Sequence, residues 1–524
     1  MADDNPEQST PRSEALAWWK GRVDAGQYVG PKSELPSPPA LRVLRAEALI
    51  EETLGGWGWV LLGRERPNGA EALRHNYWPL VGVLLAEYEP AEIYRISAVR
   101  LHSGDTTVPA ELYVRHRANR SRYAVTLADD ANVMLTPDEN PASESIQLEI
   151  AGIMLPVSTP ERTLVSLPLS DVREHRDPVL AWLRSLVVAR PALEAAYASN
   201  PRHVLVARLG HLAQDLGNRR LAEQIEQVLA AHHAHHVSRT DTGVGSEILV
   251  PAYVTSREST RDPGLDRLQA RLAHAAEVVH AHVAETESGI ERLGEDAVLG
   301  RARAAKLEDT YHSTTIEGYH ITREEVQAVV EGRPHQGRTP DEIERLMALQ
   351  GYSRAFDRTL ALVRNALPGD GATLGESLIL DLHIELWGPS IDAGIVSAAN
   401  LRGWRERPAF IRGSRHVPPA PTKVGRYMSQ LVDQVNDLEV GPLTRAILTH
   451  WGFVHIHPFM DGNGRLARLL MNYQLAGAGL PWTTIRAEQR VAYFAALERA
   501  HIEDDLVALA EFLRTDVERA ARSR

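Results

Sequence analysis

His457-Pro458-Phe459-Met460-Asp461-Gly462-Asn463-Gly464-Arg465-Leu466-Ala467-Arg468 runs directly into the apolar residues Leu469, Leu470 and Tyr473. The spacing predicts a helix that opens inside this stretch, and the first N–H groups of any helix lack an intrahelical partner. Gly462 and Gly464 let a ligand approach the main chain closely, and the positive end of the helix favours an anion there. Arg465 and Arg468 stand three apart, so their guanidinium forks reach adjoining faces of the first turn and can grip phosphate oxygens. Two cations at a helix N-terminus oppose the macrodipole, so local stability does not explain them, whereas a bound polyphosphate does. Asp461 would repel phosphates unless a hard cation stood between, which points to Mg2+ with ATP rather than to the bare nucleotide. His457 titrates near neutrality and can take the proton of an incoming hydroxyl; it is the candidate general base.

Working outward, residues 265–524 read almost entirely as helix, with amphipathic spacing over 266–293, 342–363, 374–387, 441–454, 466–475 and 488–499. The exception is 409–419, where Ala409-Phe410-Ile411, Gly413-Ser414 and His416-Val417 predict a small β-hairpin. A helical bundle with one β-hairpin flap follows. A second informative stretch is Ser313-Thr314-Thr315-Ile316-Glu317-Gly318, which ends a helix near 305–318. Gly318 suits the position after a helix end, and Thr322 with Glu325 makes a capping box for the next helix. Glu317 thus sits at a helix C-terminus, where an exposed negative charge costs about 0.3–1 kcal/mol. A cationic partner would remove that conflict.

The remaining chain divides by composition. Residues 1–14 carry almost nothing to bury and read as a disordered tail. Residues 15–235 are mixed α/β, with helical spacing over 40–86, short strands at Leu112-Tyr113-Val114, Tyr123-Ala124-Val125 and Ile146-Gln147-Leu148-Glu149-Ile150, and helical spacing again from 178 to 231. Residues 236–264 lack periodicity and read as a linker. The protein is expected to be multidomain. With no cysteine among 524 residues, disulfides, thiolate ligands and a cysteine nucleophile are excluded. The net charge of −12 argues against a chain-wide nucleic-acid surface. Arg115, Arg117, Arg120 and Arg122 form a basic cluster, good for weak, salt-sensitive DNA contact at most. The start of the chain has neither the basic flank nor the apolar core of a signal peptide, and no apolar run spans a bilayer, so a cytoplasmic protein without membrane contact is expected.

The stretch 457–468 matches the Fic signature, His-Pro-Phe-x-Asp/Glu-Gly-Asn-Gly-Arg-x-x-Arg, at every defined position, and the resemblance covers about the last half of the chain. It implies a protein adenylyltransferase that moves AMP from Mg·ATP to a Ser, Thr or Tyr hydroxyl of a protein, itself included, with pyrophosphate leaving. By this resemblance His457 is the base and Asp461 holds Mg2+. Asn463, with the Gly462 and Gly464 main chain, orients the α-phosphate, while Arg465 and Arg468 hold the β- and γ-phosphates. The related Doc kinases carry Lys where Gly464 stands, which disfavours phosphoryl transfer. Phe410, Ile411, Arg412 and Gly413, with Arg405 before them, resemble the flap that pairs with an extended piece of the target. Tyr493 stands where relatives place an aromatic beside the adenine. The stretch 313–318 resembles the Fic inhibitory motif, whose Glu, here Glu317, pairs with the second motif arginine, here Arg468, and so keeps it from the γ-phosphate. More weakly, Arg95–His102 and Ser158–Leu164 resemble antitoxin-type regulators of abortive-infection systems, which combine a winged-helix segment with an α/β domain. The alternative function is accordingly a DNA-binding or toxin–antitoxin-like regulator whose Fic domain senses nucleotide. Either protein can be an oligomer.

Overall fold

In the computed structural model, the described residues are 10–25, 27–53, 58–62, 69–117, 122–128, 131–138, 145–232, 262–333, 339–367 and 372–522. The chain forms two compact units, one comprising Met1–Arg267 and Phe410–Val417, the other Leu268–Ala409 and Pro418–Arg524. The expected linker 236–264 lies almost wholly outside the described residues.

Order begins earlier than the composition suggests. Thr10 caps the helix Pro11–Asp24 by accepting from the Ser13 N–H, and Pro11 occupies the first helical position, where its missing N–H costs nothing. Residues 11–14 of the expected tail are therefore helical. The next residues depart from the helical reading of 40–86. After the helix Pro38–Ala46, the chain forms strands Ile50–Glu52 (β2) and Gly58–Leu61 (β3), which join Val29–Pro31 (β1) in an antiparallel sheet of order β1-β3-β2. All four residues of β3 are buried, so it lacks the alternation that marks a half-exposed strand. Ala15, Ala40, Leu44, Ile50, Trp59 and Leu61 form the small core beneath.

A six-stranded mixed sheet follows, built from Ala91–Ile93 (β4), Glu111–His116 (β5), Tyr123–Ala128 (β6), Ala131–Pro137 (β7), Ser145–Ile150 (β8) and Ile153–Ser158 (β9) in the order β6-β7-β5-β4-β9-β8. Leu112, Val114, Val133, Leu135, Leu155 and Val157 share one core with Leu80, Val81 and Leu84 of the helix Tyr77–Glu87. A second core joins Val99 to the helices between Pro160 and Ala231 through Leu164, Trp182, Leu209 and Val228.

Arg115 does not belong to a basic surface. It is buried on β5, bonded through Nε to Glu92, through NH2 to Ser158 Oγ at 3.1 Å, and paired through NH1 with Asp138 at 3.5 Å. Arg162 completes the group, 3.1 Å from Glu92. Burial pushes the Glu92 carboxyl above its usual range, with Arg115 and Arg162 opposing. The expected DNA-contacting cluster thus loses Arg115 to an internal ion-pair network, while Arg117 and Arg122 stay exposed and Arg120 lies outside the described residues.

The expected flap also differs. Residues 409–419 contain no strand; a turn at Arg412–Gly413 closes through the Ser414 N–H to the Ile411 carbonyl at 3.1 Å. Its outward main-chain groups are taken by the N-terminal unit. Val108 N–H donates to the Arg415 carbonyl at 2.8 Å, Thr106 Oγ1 donates to the Val417 carbonyl at 3.0 Å, and Gly413 N–H donates to Glu71 Oε1 at 3.1 Å. Phe410 stacks on His75 with centroids 5.7 Å apart, and Arg412 Nε lies 3.6 Å from Glu71. A self-paired hairpin is unnecessary because neighbours from residues 71–108 already satisfy these groups.

The C-terminal unit is all helix apart from loops and short 3-10 turns among its described residues. Its central helices are Glu295–Ile316, Pro340–Ala366, Glu376–Asp392, Pro442–Ile456, Asn463–Gly477 and Arg490–Ile502. No helix of the described residues is long and apolar enough to cross a membrane.

Candidate functional site

The signature bridges two helices. Pro442–Ile456 ends at His457, whose backbone is left-handed at φ 51° and ψ 61°, and Asn463–Gly477 begins after Gly462 at φ +88°. A non-glycine residue in that region carries roughly 1–2 kcal/mol of strain, so surrounding contacts must hold His457 there. Gly462 accepts its φ without penalty, and a Cβ on it would meet Leu386 at 2.6 Å. No side chain caps the second helix, so its first-turn N–H groups remain available to an anion.

Arg465 and Arg468 are 2% and 3% exposed, and each is met by an acid. Arg465 NH2 lies 3.1 Å from Asp461 Oδ2, its guanidinium sits 5.7 Å from the Tyr319 ring, and its Nε has no partner among the described residues. The Asp461 side chain is 54% exposed and also accepts the Gly462 N–H at 2.6 Å. Arg468 is held from the helix Glu295–Ile316. Its Nε donates to Ser313 Oγ at 2.7 Å, and NH2 donates to the Ser313 carbonyl at 2.9 Å and to Glu317 Oε1 at 2.5 Å. Burial weakens the charge of Arg468, but Glu317 together with Tyr493 and Tyr352 outweighs it and holds the guanidinium above its ordinary pKa.

Glu317 reaches this position because its helix ends there. It is the C-cap residue, Gly318 follows at φ +99°, and Thr322 and Glu325 make both bonds of a capping box. Gly464 provides the space: a Cβ on it would lie 2.3 Å from Glu317 Oε1. The structure thus brings together His457, Asp461, Gly462, Gly464, Arg465, Arg468 and Glu317.

Two expected contacts are redirected. Asn463, assigned to the α-phosphate, is 2% exposed, and its amide is spent on the loop: Nδ2 donates to the Phe459 carbonyl at 2.8 Å and Oδ1 accepts the Phe459 N–H at 3.0 Å. It shapes the loop rather than facing outward. Tyr493, expected beside the adenine, is 1% exposed, with its hydroxyl 2.8 Å from His450 Nε2 and its ring packed near Phe512. On the same helix the exposed apolar residues are Val491 and Phe494. His501, also in that region, is buried with Nδ1 3.2 Å from His455 Nδ1.

Burial, with Arg405 adding to it, pushes His457 down to about 4, while Val454 and Asp461 pull the other way. The ring is therefore neutral near pH 7 and free to accept a proton. Sequence reasoning missed two supports of this loop. His383 stacks face to face on Phe459, with centroids 3.6 Å apart and 7° between planes. Arg405 Nε donates to the His457 carbonyl at 2.8 Å. Neither lies in the signature; Arg405 entered the sequence reading only as the residue before the flap, and His383 not at all.

For Mg2+ and ATP, the donors on hand fit: a hard, exposed carboxylate at Asp461, an uncapped helix start, and two guanidiniums converging on it.

Residues 373–475 match the family described as Fic/DOC. Relatives named protein adenylyltransferase Fic include one from Nematostella vectensis, 32% identical over 212 residues (38% of this chain, 45% of the relative), and one from Drosophila willistoni, 27% identical over 362 residues (67% of this chain, 64% of the relative). The chain thus spans about half to two thirds of the length of these curated relatives. Among solved structures, Fic-1 (residues 134–508) from C. elegans is 20% identical, covering 66% of this chain and 97% of its own at a TM-score of 0.36. A Fic domain containing protein from Bacteroides thetaiotaomicron is also 20% identical, covering 47% and 94% at 0.37; both likenesses are too loose to support an argument. The signature, its place between two helices and the family match lead to one conclusion: the chain carries a Fic/DOC family domain related to those of protein adenylyltransferases.

Proposed function

We propose that the protein is an autoinhibited adenylyltransferase that transfers AMP from Mg·ATP to a Ser, Thr or Tyr hydroxyl of a protein, its own chain included. The observation that carries this reading is the convergence of a neutral His457, an uncapped helix start and two buried arginines on one loop. His457 removes the proton of the target hydroxyl, whose oxygen bonds to the α-phosphorus as the bond to pyrophosphate breaks. The helix start and the Gly462 and Gly464 main chain face the phosphates, and Arg465 and Arg468 hold the departing end. Mg2+ held by Asp461 would neutralise phosphate charge and orient the leaving group. Asp461 must then exchange its contact with Arg465 for the cation, which frees that guanidinium for phosphate at the same moment.

The Glu317 pair supports autoinhibition. Glu317 occupies Arg468 NH2, so nucleotide would bind without the alignment that transfer requires. The reading is tested with ATP carrying the label at the α- or the γ-phosphate. Protein-bound label from the α-position alone supports AMP transfer; label from the γ-position alone would make the protein a kinase and overturn it.

A further inference from the structure

Arg405 is a buried cation without a carboxylate. It is 5% exposed, and no ion pair to it occurs among the described residues. Its guanidinium is instead satisfied by three main-chain carbonyls: Nε donates to His457 at 2.8 Å, NH1 to Arg407 at 3.0 Å, and NH2 to Pro419. Its own N–H donates to the Pro458 carbonyl at 2.9 Å. Arg405 therefore grips both ends of the peptide that turns the chain out of the helix Pro442–Ile456 and into the signature loop. Burying a guanidinium costs far more than burying an apolar residue unless every donor is used, and a lysine or methionine could not supply this three-way fork.

The cost coincides with a strained residue. His457 is held in the left-handed region by its N–H, which donates to Phe453 at 2.9 Å, and by its carbonyl, which accepts from Arg405. The first bond would form in an ordinary helix end. The second fixes the direction of the peptide plane after His457, and with it the direction in which the imidazole leaves the backbone. The opposite side of the fork reaches Pro419, just past the residues that leave for the N-terminal unit. One side chain thus ties the backbone of the base to the chain segment beyond 410–417.

We propose that Arg405 is a positioning residue for the transfer reaction: by clamping the His457 carbonyl to the chain at Arg407 and Pro419, it sets the orientation of the base without touching substrate. This rests on the reading of His457 as base. Misplacing a reacting group by about 1 Å can cost on the order of 10²-fold in rate, whereas ATP binding depends on the helix start and the motif arginines, which Arg405 does not contact.

The test uses the full chain carrying Glu317→Gly, with Arg405→Met and Arg405→Lys added separately. Arg405→Met is expected to lower kcat about 10²-fold with KM for ATP unchanged, and Arg405→Lys, which keeps the charge but only a single donor nitrogen, to recover about a tenth of the activity. The His457 ring resonance, identified by its loss in His457→Ala, should shift in both variants at fixed pH while the melting temperature of Arg405→Lys stays near that of the parent. A folded Arg405→Lys with parental kcat, or an unmoved His457 resonance, would overturn the proposal. So would a fall in kcat matched by an equal rise in KM for ATP. If the Glu317→Gly chain itself transfers no AMP, the adenylyltransferase reading fails, and the resonance shift still decides whether Arg405 orients the ring.

Discussion

Each unit buries arginines among acids, and the two arrangements have opposite consequences. On the six-stranded sheet, Arg115 and Arg162 meet Glu92 and Asp138, two cations with two acids on adjoining strands and the helix start beyond β9. Arg115 is further bonded to Ser158, and both it and Glu92 are buried. In the signature, Arg465 and Arg468 also meet two acids, but Asp461 is more than half exposed and Glu317 comes from a helix end 151 residues earlier in the chain. Two buried cations thus stand at the positive end of a helix, each met by one acid. A balanced network locked by strand pairing stabilises a fold, whereas under the proposed function the exposed loop acid and the helix-cap acid would give way to a metal ion and phosphates.

The contrast predicts different failures. In the signature, His457→Ala should cut AMP transfer by about 10²–10⁴-fold while the dissociation constant for Mg·ATP, measured by calorimetry, stays within a factor of a few. Equal losses in both would make His457 a binding residue. In the sheet, Arg115→Met should destabilise the N-terminal unit by about 3 kcal/mol, because it strips Glu92 of its principal partner. Hydrogen exchange over Glu111–His116 should rise correspondingly, and unchanged protection would mean that Arg162 alone satisfies Glu92. Between these lies Gly464→Ala. Its Cβ would fall 2.3 Å from Glu317 Oε1 on the main chain proposed to face the phosphates, so it should weaken Mg·ATP binding and lower AMP transfer severalfold even where the carboxylate gives way. Unaltered ATP binding would show that the nucleotide does not approach Gly464.

The smallest effect concerns acid stability. Burial, reinforced by Arg468, pushes His450 down to about 4, against an unfolded value near 6.5. Between these values the unfolded chain binds the proton and the folded chain does not, so stability rises with pH across that window and is lost as pH falls from 6.5 toward 4. One such histidine contributes a slope of at most about 1.4 kcal/mol per pH unit. His450→Gln should flatten the dependence of the urea midpoint between pH 4 and 6.5 by up to that amount. A slope identical to that of the parent would assign the acid sensitivity elsewhere, His383 and His457 being displaced in the same direction.

The parts of the site that were legible in the sequence are those whose chemistry is contiguous. The uncapped helix start, the two arginines and His457 lie within twelve residues, and Gly318 with the Thr322 and Glu325 box located the end of the helix that carries Glu317. What was not legible depends on distance along the chain. The neighbours that take up the flap are 307 to 342 residues away, so a turn flanked by apolar residues reads as a hairpin when its partners are invisible. Strand alternation places Arg115 on one face of β5 but does not say that the face is covered. Tyr493 turns inward for a related reason, its phenol meeting His450 on a helix 43 residues earlier. Asn463 is the exception, since its amide bonds the main chain of Phe459 only four residues before it.

The central claim, that Glu317 withholds a phosphate ligand from an AMP-transferring site, is tested most directly by a double-variant cycle. AMP incorporation from α-labelled ATP is compared for the parent, Glu317→Gly, Arg468→Ala and the two combined, all in the full chain. The account predicts a strong rise for Glu317→Gly and loss of most of that rise when Arg468→Ala is added, with a coupling of about 0.5–3 kcal/mol between the two sites. A folded, ATP-binding Glu317→Gly protein no more active than the parent, or a rise that survives the loss of Arg468, would contradict it.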